Sequence, residues 1–457
     1  MSVAMLVVGC ASETPPGPPA TPGGATTPGD AVTPVQPATP TDVPPEVVER
    51  IGSQSEYCAG TGAPIVIPGS RTNATCTGAL AERIFRYALC TCEGATTVAS
   101  GFETRGFNSQ GGQTSTAGAA VGVNTQFEQA GGLDIGGSLT VAGADGLRTI
   151  GSGIVVQGDL RTAGAYGFTG GSSVTRNAYV GGLSGVGRLT IGGDLFGASA
   201  GPFVSVAGAV DPNPVAVEAP CACGADDILD IDAIVADAAE QNHNLEAGLD
   251  PAEFSDLVGT VERELPCGRF YIDSIGGLGQ LTLTVNGRTA LFVAGDVESV
   301  GGLDVVLGPD GELDLFVAGN LSVVGSASLG SEEHPAATRV YVGGTNEIQL
   351  TGGNAFVANL YAPEAPVAAV GSTDIFGSVF AKEFSATGRA SIRYDRAILS
   401  AGDDCDIVPP EVCLACGDCS GGTTCVEGSC VGCRTDADCC EPQVCDVNTG
   451  RCGSLLF

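Results

Sequence analysis

The chain has 457 residues, 70 of them glycine, with 19 cysteines, no tryptophan and an aromatic content of 5%; this composition excludes a conventional aromatic-rich interior and suits thin layers of Val, Leu, Ile and Ala stacked on one another. Acidic residues number 52 against 19 basic ones, a net charge of −33, which repels phosphate backbones and argues against nucleic acid as a partner. A chain this long can bury a sizeable core and is expected to divide into two or three structural units.

The first ten residues end in Val7-Val8-Gly9-Cys10. That stretch resembles the lipobox of bacterial lipoproteins, in which an apolar run leads to a small residue and a cysteine that is diacylated. The resemblance implies a lipoprotein signal over 1–10 with Cys10 as the lipidation site. The apolar run is short and lacks a preceding Lys or Arg, so the signal is expected to be truncated, with its true start upstream. Ala11 after the cysteine implies, on the same resemblance, the outer membrane rather than the inner. Residues 11–50 are mostly Pro, Thr, Ala, Gly and Val without periodicity, a disordered linker able to reach on the order of 100 Å at about 3.1 Å per residue. The sequence contains no apolar run of the length a spanning helix requires, so lipid is the expected membrane attachment.

Residues 51–100 read as a disulfide-stapled cap carrying Cys58, Cys76, Cys90 and Cys92. Within it Leu80, Ile84, Phe85, Ala88 and Leu89 recur at helical spacing, which predicts a short helix running toward Cys92. Such a cap would cover the first coil of a stacked architecture and its unpaired strand edges.

Over 101–405 one phrase keeps returning: aliphatic, glycine, small polar residue, aliphatic. It reads Ile135-Gly-Gly-Ser-Leu139, Val156-Gln-Gly-Asp-Leu160, Ile191-Gly-Gly-Asp-Leu195, Val293-Ala-Gly-Asp-Val297 and Val317-Ala-Gly-Asn-Leu321. Aligning Gly137 with Gly158 and Gly295 with Gly319 gives spacings of 21 and 24 residues, the range of solenoid repeats. The predicted fold is mainly β, a right-handed parallel β-helix of about ten coils, of order 50 Å long at about 4.8 Å per coil. A β-sandwich is the alternative, since regularly spaced short strands also suit it. Side chains two apart share a face, which puts Leu133, Ile135, Leu139, Val141, Leu315, Val317, Leu321 and Val323 inward and Phe316 and Ser322 outward. The glycines fall where a corner would be obstructed by a side chain.

An insert over 220–267 interrupts the repeats. Cys221 and Cys223 open it, Cys267 closes it, and Ile228, Ile231, Ile234, Val235 and Ala238 form a helical stripe beside Asp226, Asp227, Asp230 and Asp232. These acids read as a solvated helix N-terminus rather than a metal cluster, because the helix dipole favours them there. Cys267-Gly-Arg-Phe-Tyr271, Ala290-Leu-Phe-Val-Ala-Gly-Asp296, Leu313 to Ser322, Ala358 to Pro363 and Gly377 to Lys382 resemble an uncharacterised β-solenoid domain of exported bacterial envelope proteins. The Gly-Asp-aliphatic phrase is distantly similar to that of bactofilins, polymer-forming β-helical proteins. Neither resemblance implies catalytic residues.

The tail, 406–457, contains Cys413, Cys416, Cys419, Cys425, Cys430, Cys433, Cys439, Cys440, Cys445 and Cys452. Zinc would suit the Cys-x2-Cys pairs, but the lack of histidine and the adjacent Cys439-Cys440 pair favour five disulfides of open connectivity. Cys433 to Cys452 resembles the Dickkopf N-terminal cysteine-rich region, whose likeness implies a display or binding unit. The eight body cysteines, Cys58, Cys76, Cys90, Cys92, Cys221, Cys223, Cys267 and Cys405, are likewise expected to be oxidised, with pairing open.

No catalytic constellation emerges. The two histidines, His243 and His334, lie apart, and no metal or cofactor signature occurs. Gly276 to Leu281 approaches the calcium nonapeptide but lacks its aspartate. Gly197-Ala-Ser-Ala-Gly201 fits a nucleophile elbow but is followed by Pro202 and a strand-like run, where that motif demands a helix. The expected function is a non-enzymatic, lipid-anchored structural, adhesive or binding role at the outer membrane, with extracellular polysaccharide or envelope proteins as partners. A β-helical carbohydrate-active enzyme using acids such as Asp304 and Asp314 with Arg339 is one alternative; an end-to-end filament scaffold is another.

Overall fold

The computed structural model describes residues 53–59, 77–110 and 118–401, apart from 152, 300, 324–326 and 353–354, together with four strand segments between 424 and 454. Cys10, the linker, Cys76, Cys405, Cys413, Cys416, Cys419, Cys433, Cys439 and Cys440 lie outside the described residues. In the tail, antiparallel hairpins set Cys425 opposite Cys430 and Cys445 opposite Cys452.

The body is a parallel β-solenoid of about 13 turns, more than the ten expected because coils already begin at Leu89. Every described strand pairing in the body is parallel, which rules out the sandwich. Glycines aligned by the sequence phrase are hydrogen-bonded neighbours on successive coils, Gly158 N–H to Gly137 O at 2.8 Å and Gly319 N–H to Gly295 O at 3.2 Å. Leu133, Ile135, Leu139, Val141, Leu315, Val317 and Leu321 all point inward and are buried.

The corners explain the phrase. Its polar residue accepts a hydrogen bond from the backbone of the equivalent residue one coil further on. Ser138 Oγ accepts from Asp159 N–H (3.1 Å), Asp159 Oδ1 from Asn177 N–H (3.1 Å), Asn177 Oδ1 from Asp194 N–H (2.9 Å) and Asp194 Oδ1 from Ala209 N–H (2.7 Å). A second ladder runs from Asp296 Oδ1 to Asn320 N–H (2.6 Å) and from Asn320 Oδ1 to Asn346 N–H (3.1 Å). The preceding glycine leaves room for that acceptor: a Cβ on Gly193 would run into Asn177 Oδ1, on Gly208 into Asp194 Oδ1, and on Gly319 into Asp296 Oδ1. Backbone groups at a turn must find partners, and here the neighbouring coil's side chain supplies one.

Sequence order and stacking order differ. The coil that ends the lower half, Val379–Asp395, pairs with Leu89–Thr91 and Ala95–Phe107, the first coil of the upper half. Residues 260–395 therefore stack up to the junction, and residues 89–211 continue the same column beyond it. Residues 51–100 were expected to cap an end; instead Leu89–Thr91 sits in the middle, between Val121–Val123 and Val379–Ala381. The predicted helix is shorter than its periodicity, α2 (Thr77–Ile84) giving way to a strand at Leu89. Tyr394 Oη donates to Phe85 O at 2.7 Å and ties that helix end to the junction coil.

After Asp211 the chain must return to the opposite end, and residues 212–259 form the strap that does so. Asn124 anchors it at Cys221 through two hydrogen bonds, and Leu229 N–H donates to Tyr361 Oη at 3.1 Å. Helix α3 (Ile231–Glu240), capped by Asp230 Oδ1 on Ala233 N–H, packs on the strands Gly268–Ile272, Arg288–Val293 and Glu312–Val317. Helix α1 (Gln54–Cys58) lies against Gly268–Ile272 as well, and so does α4 (Asn244–Ala247). This cladding corrects one expectation: Phe316 does face out of the coil, but it is fully buried, in a ladder with Phe292, Tyr341, Tyr361 and Phe380. Strands covered on both faces read as unbroken apolar runs rather than alternating ones.

The corner ladder is testable at Gly193. Gly193→Ala is expected to lower stability by about 1–3 kcal/mol, the usual cost of a forced overlap in a packed site. The same substitution on an Asn177→Ala background should cost less, because its obstacle is gone, and paired chemical denaturation curves measure the difference.

Candidate binding face

The carboxylates nominated from sequence do not converge. Asp304 lies on Leu303–Leu307 and accepts from Gln280 Nε2 at 2.8 Å. Asp314 and Arg339 do meet, but inside the protein: Arg339 Nε and Nη2 grip Asp314 Oδ1 and Oδ2 at 2.6 and 2.9 Å, and Nη2 reaches Glu312 at 3.0 Å. Tyr341 Oη adds a hydrogen bond to Asp314 at 3.3 Å. Both residues are fully buried, so this pair has no route to a dissolved substrate. Burial alone would lower the basicity of Arg339; the Asp314 carboxylate more than restores it and holds the guanidinium well above its ordinary range.

The pair belongs to a buried polar seam that sequence reading missed. Asn359 Nδ2 donates to Pro335 O and Thr338 O at 2.9 and 3.1 Å, and Ser378 Oγ donates to Asn359 Oδ1 at 2.9 Å. Asp395, also buried, accepts from Ser109 N–H and Oγ and from Ala397 N–H. Arg269 stacks near Phe292, and its basicity is lowered by desolvation. His243 is buried too, its Nδ1 accepting from Arg269 N–H at 3.1 Å, whereas His334 is exposed beside the turn Pro335–Ala337. Among the described residues no cluster of His, Cys, Asp or Glu is arranged to hold a metal ion, and no helix is long and apolar enough to cross a membrane. The Gly197–Gly201 segment leads into the strand Val204–Val206, not a helix.

Six of the eight body cysteines form disulfides, Cys58–Cys267, Cys90–Cys221 and Cys92–Cys223. Two of the three clamp the strap to the junction coil. The third holds α1 to the coil at the bottom of the column.

One lateral face is left open. Register places Thr351, Val370, Thr387, Val98, Ala130, Ile150 and Thr169 side by side on successive coils. Each side chain points outward, and Val98, Ile150 and Val370 are 50%, 47% and 44% exposed. The row crosses the junction without a break at about 4.8 Å per step. Beside it Val98, Ala130 and Ile150 border a shallow cleft of about 70 Å³ whose rim includes Glu128 and Arg148. The sequence signal was present, as outward positions two residues from inward aliphatics, but the junction hid its continuity because Val370 and Thr387 are so distant in sequence from Val98.

A family profile described as a domain of unknown function, DUF7305, matches residues 221–400. That span takes in the strap from Cys221 onward, α3, α4 and the lower half of the column. No curated protein and no solved structure matches the chain.

Two consequences of the buried seam can be measured. Asp314→Asn should cost about 3–5 kcal/mol by stranding a buried guanidinium, and the double change Asp314→Leu with Arg339→Met should recover part of the loss in thermal unfolding. Burial raises the ionisation of Tyr57 to about 12 and that of Tyr361 to about 12, from a usual 10.0, while Tyr166, Tyr341 and Tyr394 shift upward as well. Folding thus favours the neutral phenols, and their contribution is complete below pH 10 and lost as pH climbs toward 12. Tyrosinate absorbance should accordingly rise in two stages, the later one coinciding with unfolding.

Proposed function

We propose that this chain is a non-enzymatic cell-envelope protein, lipid-anchored through Cys10 at the outer membrane and held off it by the 11–50 linker. Its column serves as a rigid structural and adhesive element whose open lateral face binds extracellular polysaccharide or other envelope proteins. The observation that carries this reading is the seven-residue row from Thr351 to Thr169, a flat and uncharged stripe on a molecule of net charge −33. Side chains spaced at coil intervals suit an extended polymer that can lie along them, with methyl groups giving dispersion contacts and threonine hydroxyls giving hydrogen bonds. The three disulfides support export, because such bonds persist in oxidising compartments. The cysteine-rich tail would add a second display unit.

Intact cells labelled with a membrane-impermeant reagent should yield labelled protein, and Cys10→Ala should release it from the membrane fraction. A protein confined to the cytosol with free thiols would overturn the reading. Val98→Glu with Ile150→Lys should abolish retention on envelope polysaccharide or on extracted envelope proteins while leaving circular dichroism unchanged; retention equal to wild type would remove the lateral face from the proposal.

A further inference from the structure

The two ends of the column are built differently. At the lower end, residues 249–257 fold beneath the first coil: Leu257 N–H donates to Gly276 O at 2.8 Å, Gly276 N–H to Phe254 O at 2.9 Å, and Leu249, Phe254 and Leu257 are buried. That end is closed. At the upper end, the strands Val204–Val206 and Val210–Asp211 each have a described neighbour on one side only, Leu189–Ile191 and Leu195–Phe196. Val204 and Val206 occupy inward positions yet are only half-buried, Val210 is 44% exposed and Phe203 61%.

This end also lacks the devices that normally protect a free edge. Edge strands are usually blunted by charge, above all by lysine. Between Gly197 and Val217 the only charged residue is Asp211, although the chain as a whole is strongly acidic. Two copies approaching elsewhere would meet mutual repulsion; here they would not. The coils also shorten on the way up, from 21 residues between Leu139 and Leu160 to 15 between Leu195 and Val210. Finally, the corner ladder stops: the position that would offer the next acceptor is Ala209.

We infer that the upper end is a self-association surface at which two copies of this chain meet head to head about a two-fold axis. Head-to-tail growth is barred twice, by the closed lower end and by the missing acceptor at Ala209, so association ends at two copies instead of extending into a filament. A two-fold contact matches a patch with itself, and the free N–H and C=O groups of Val204–Val206 supply the pairing. The tapered end buries less area than the roughly 1,200 Å² typical of stable complexes, so the dimer forms at high concentration, or when lipid anchoring raises the effective concentration. This inference does not depend on the adhesive reading above.

Sedimentation equilibrium of the full chain from micromolar to millimolar concentration tests it. The expected result is a monomer–dimer equilibrium with no larger species. Ser205→Lys brings two like charges together across the axis and should weaken dimerisation at least about tenfold. Val210→Glu should do the same, with circular dichroism matching wild type, and Val98→Glu on the lateral face should leave the equilibrium unchanged. A monomer throughout, growth beyond two copies, or sensitivity to Val98→Glu but not to the end variants would each overturn the proposal.

Discussion

The structure depends on one local exchange: a glycine gives up its side chain so that the carboxylate or amide of the neighbouring coil can reach into the corner and accept a backbone N–H. Strand ladders satisfy the peptide groups of the flat faces, but a solenoid must turn several times per coil, and each turn exposes donors that no strand can reach. Asp159, Asn177 and Asp194 meet that need in the upper half, as Asp296 and Asn320 do in the lower. The acceptor and the space for it come from adjacent coils, so each corner is specified only when two coils are in register. Stability is then a nearest-neighbour property, as in other repeat architectures.

Nearest-neighbour stability explains how the column tolerates a break in sequence order. The coil ending at Asp395 does not need to be followed by residue 396; it needs a coil with matching edges, and residues 89–107 provide one across every strand it offers. The arrangement has a cost in chain entropy, because the two halves meet only when the strap has folded back along the column. The disulfides fall where that cost is concentrated. Cys90–Cys221 and Cys92–Cys223 close loops of 131 residues at the junction, and Cys58–Cys267 closes one of 209. Crosslinks across long loops remove the most freedom from the unfolded chain.

What the sequence disclosed follows from the range of each interaction. The phrase is local, so the solenoid, its inward aliphatics and even the pairing of Gly137 with Gly158 were legible. The helix at Thr77–Ile84 was legible too, but its end was not, since Leu89 is drawn into a strand by partners nearly 300 residues away. Phe316 was assigned its correct face and the wrong environment, because nothing local says that α3 will lie on it. Asp314 and Arg339 looked like surface chemistry for the same reason. Residues 25 apart in sequence became a buried pair only when two coils stacked and the outer face was covered.

That covering also decides where function can reside. The interior is filled by aliphatics, and one outer face is consumed by the strap and helices. Along it the rings of Phe292, Phe316 and Tyr341 stack face on face, leaving no ring surface for a sugar. Higher on the same ladder, where the helices end, Tyr179 lies between Arg161 and Phe196, so its faces are occupied as well. Aromatic recognition of a carbohydrate is therefore closed to this ladder, and any ligand along the column must be met by the β-branched stripe through shape and hydroxyls. A surface of that kind gains little from each contact and much from repetition, which is the advantage of building it on a column whose coils repeat at a fixed interval.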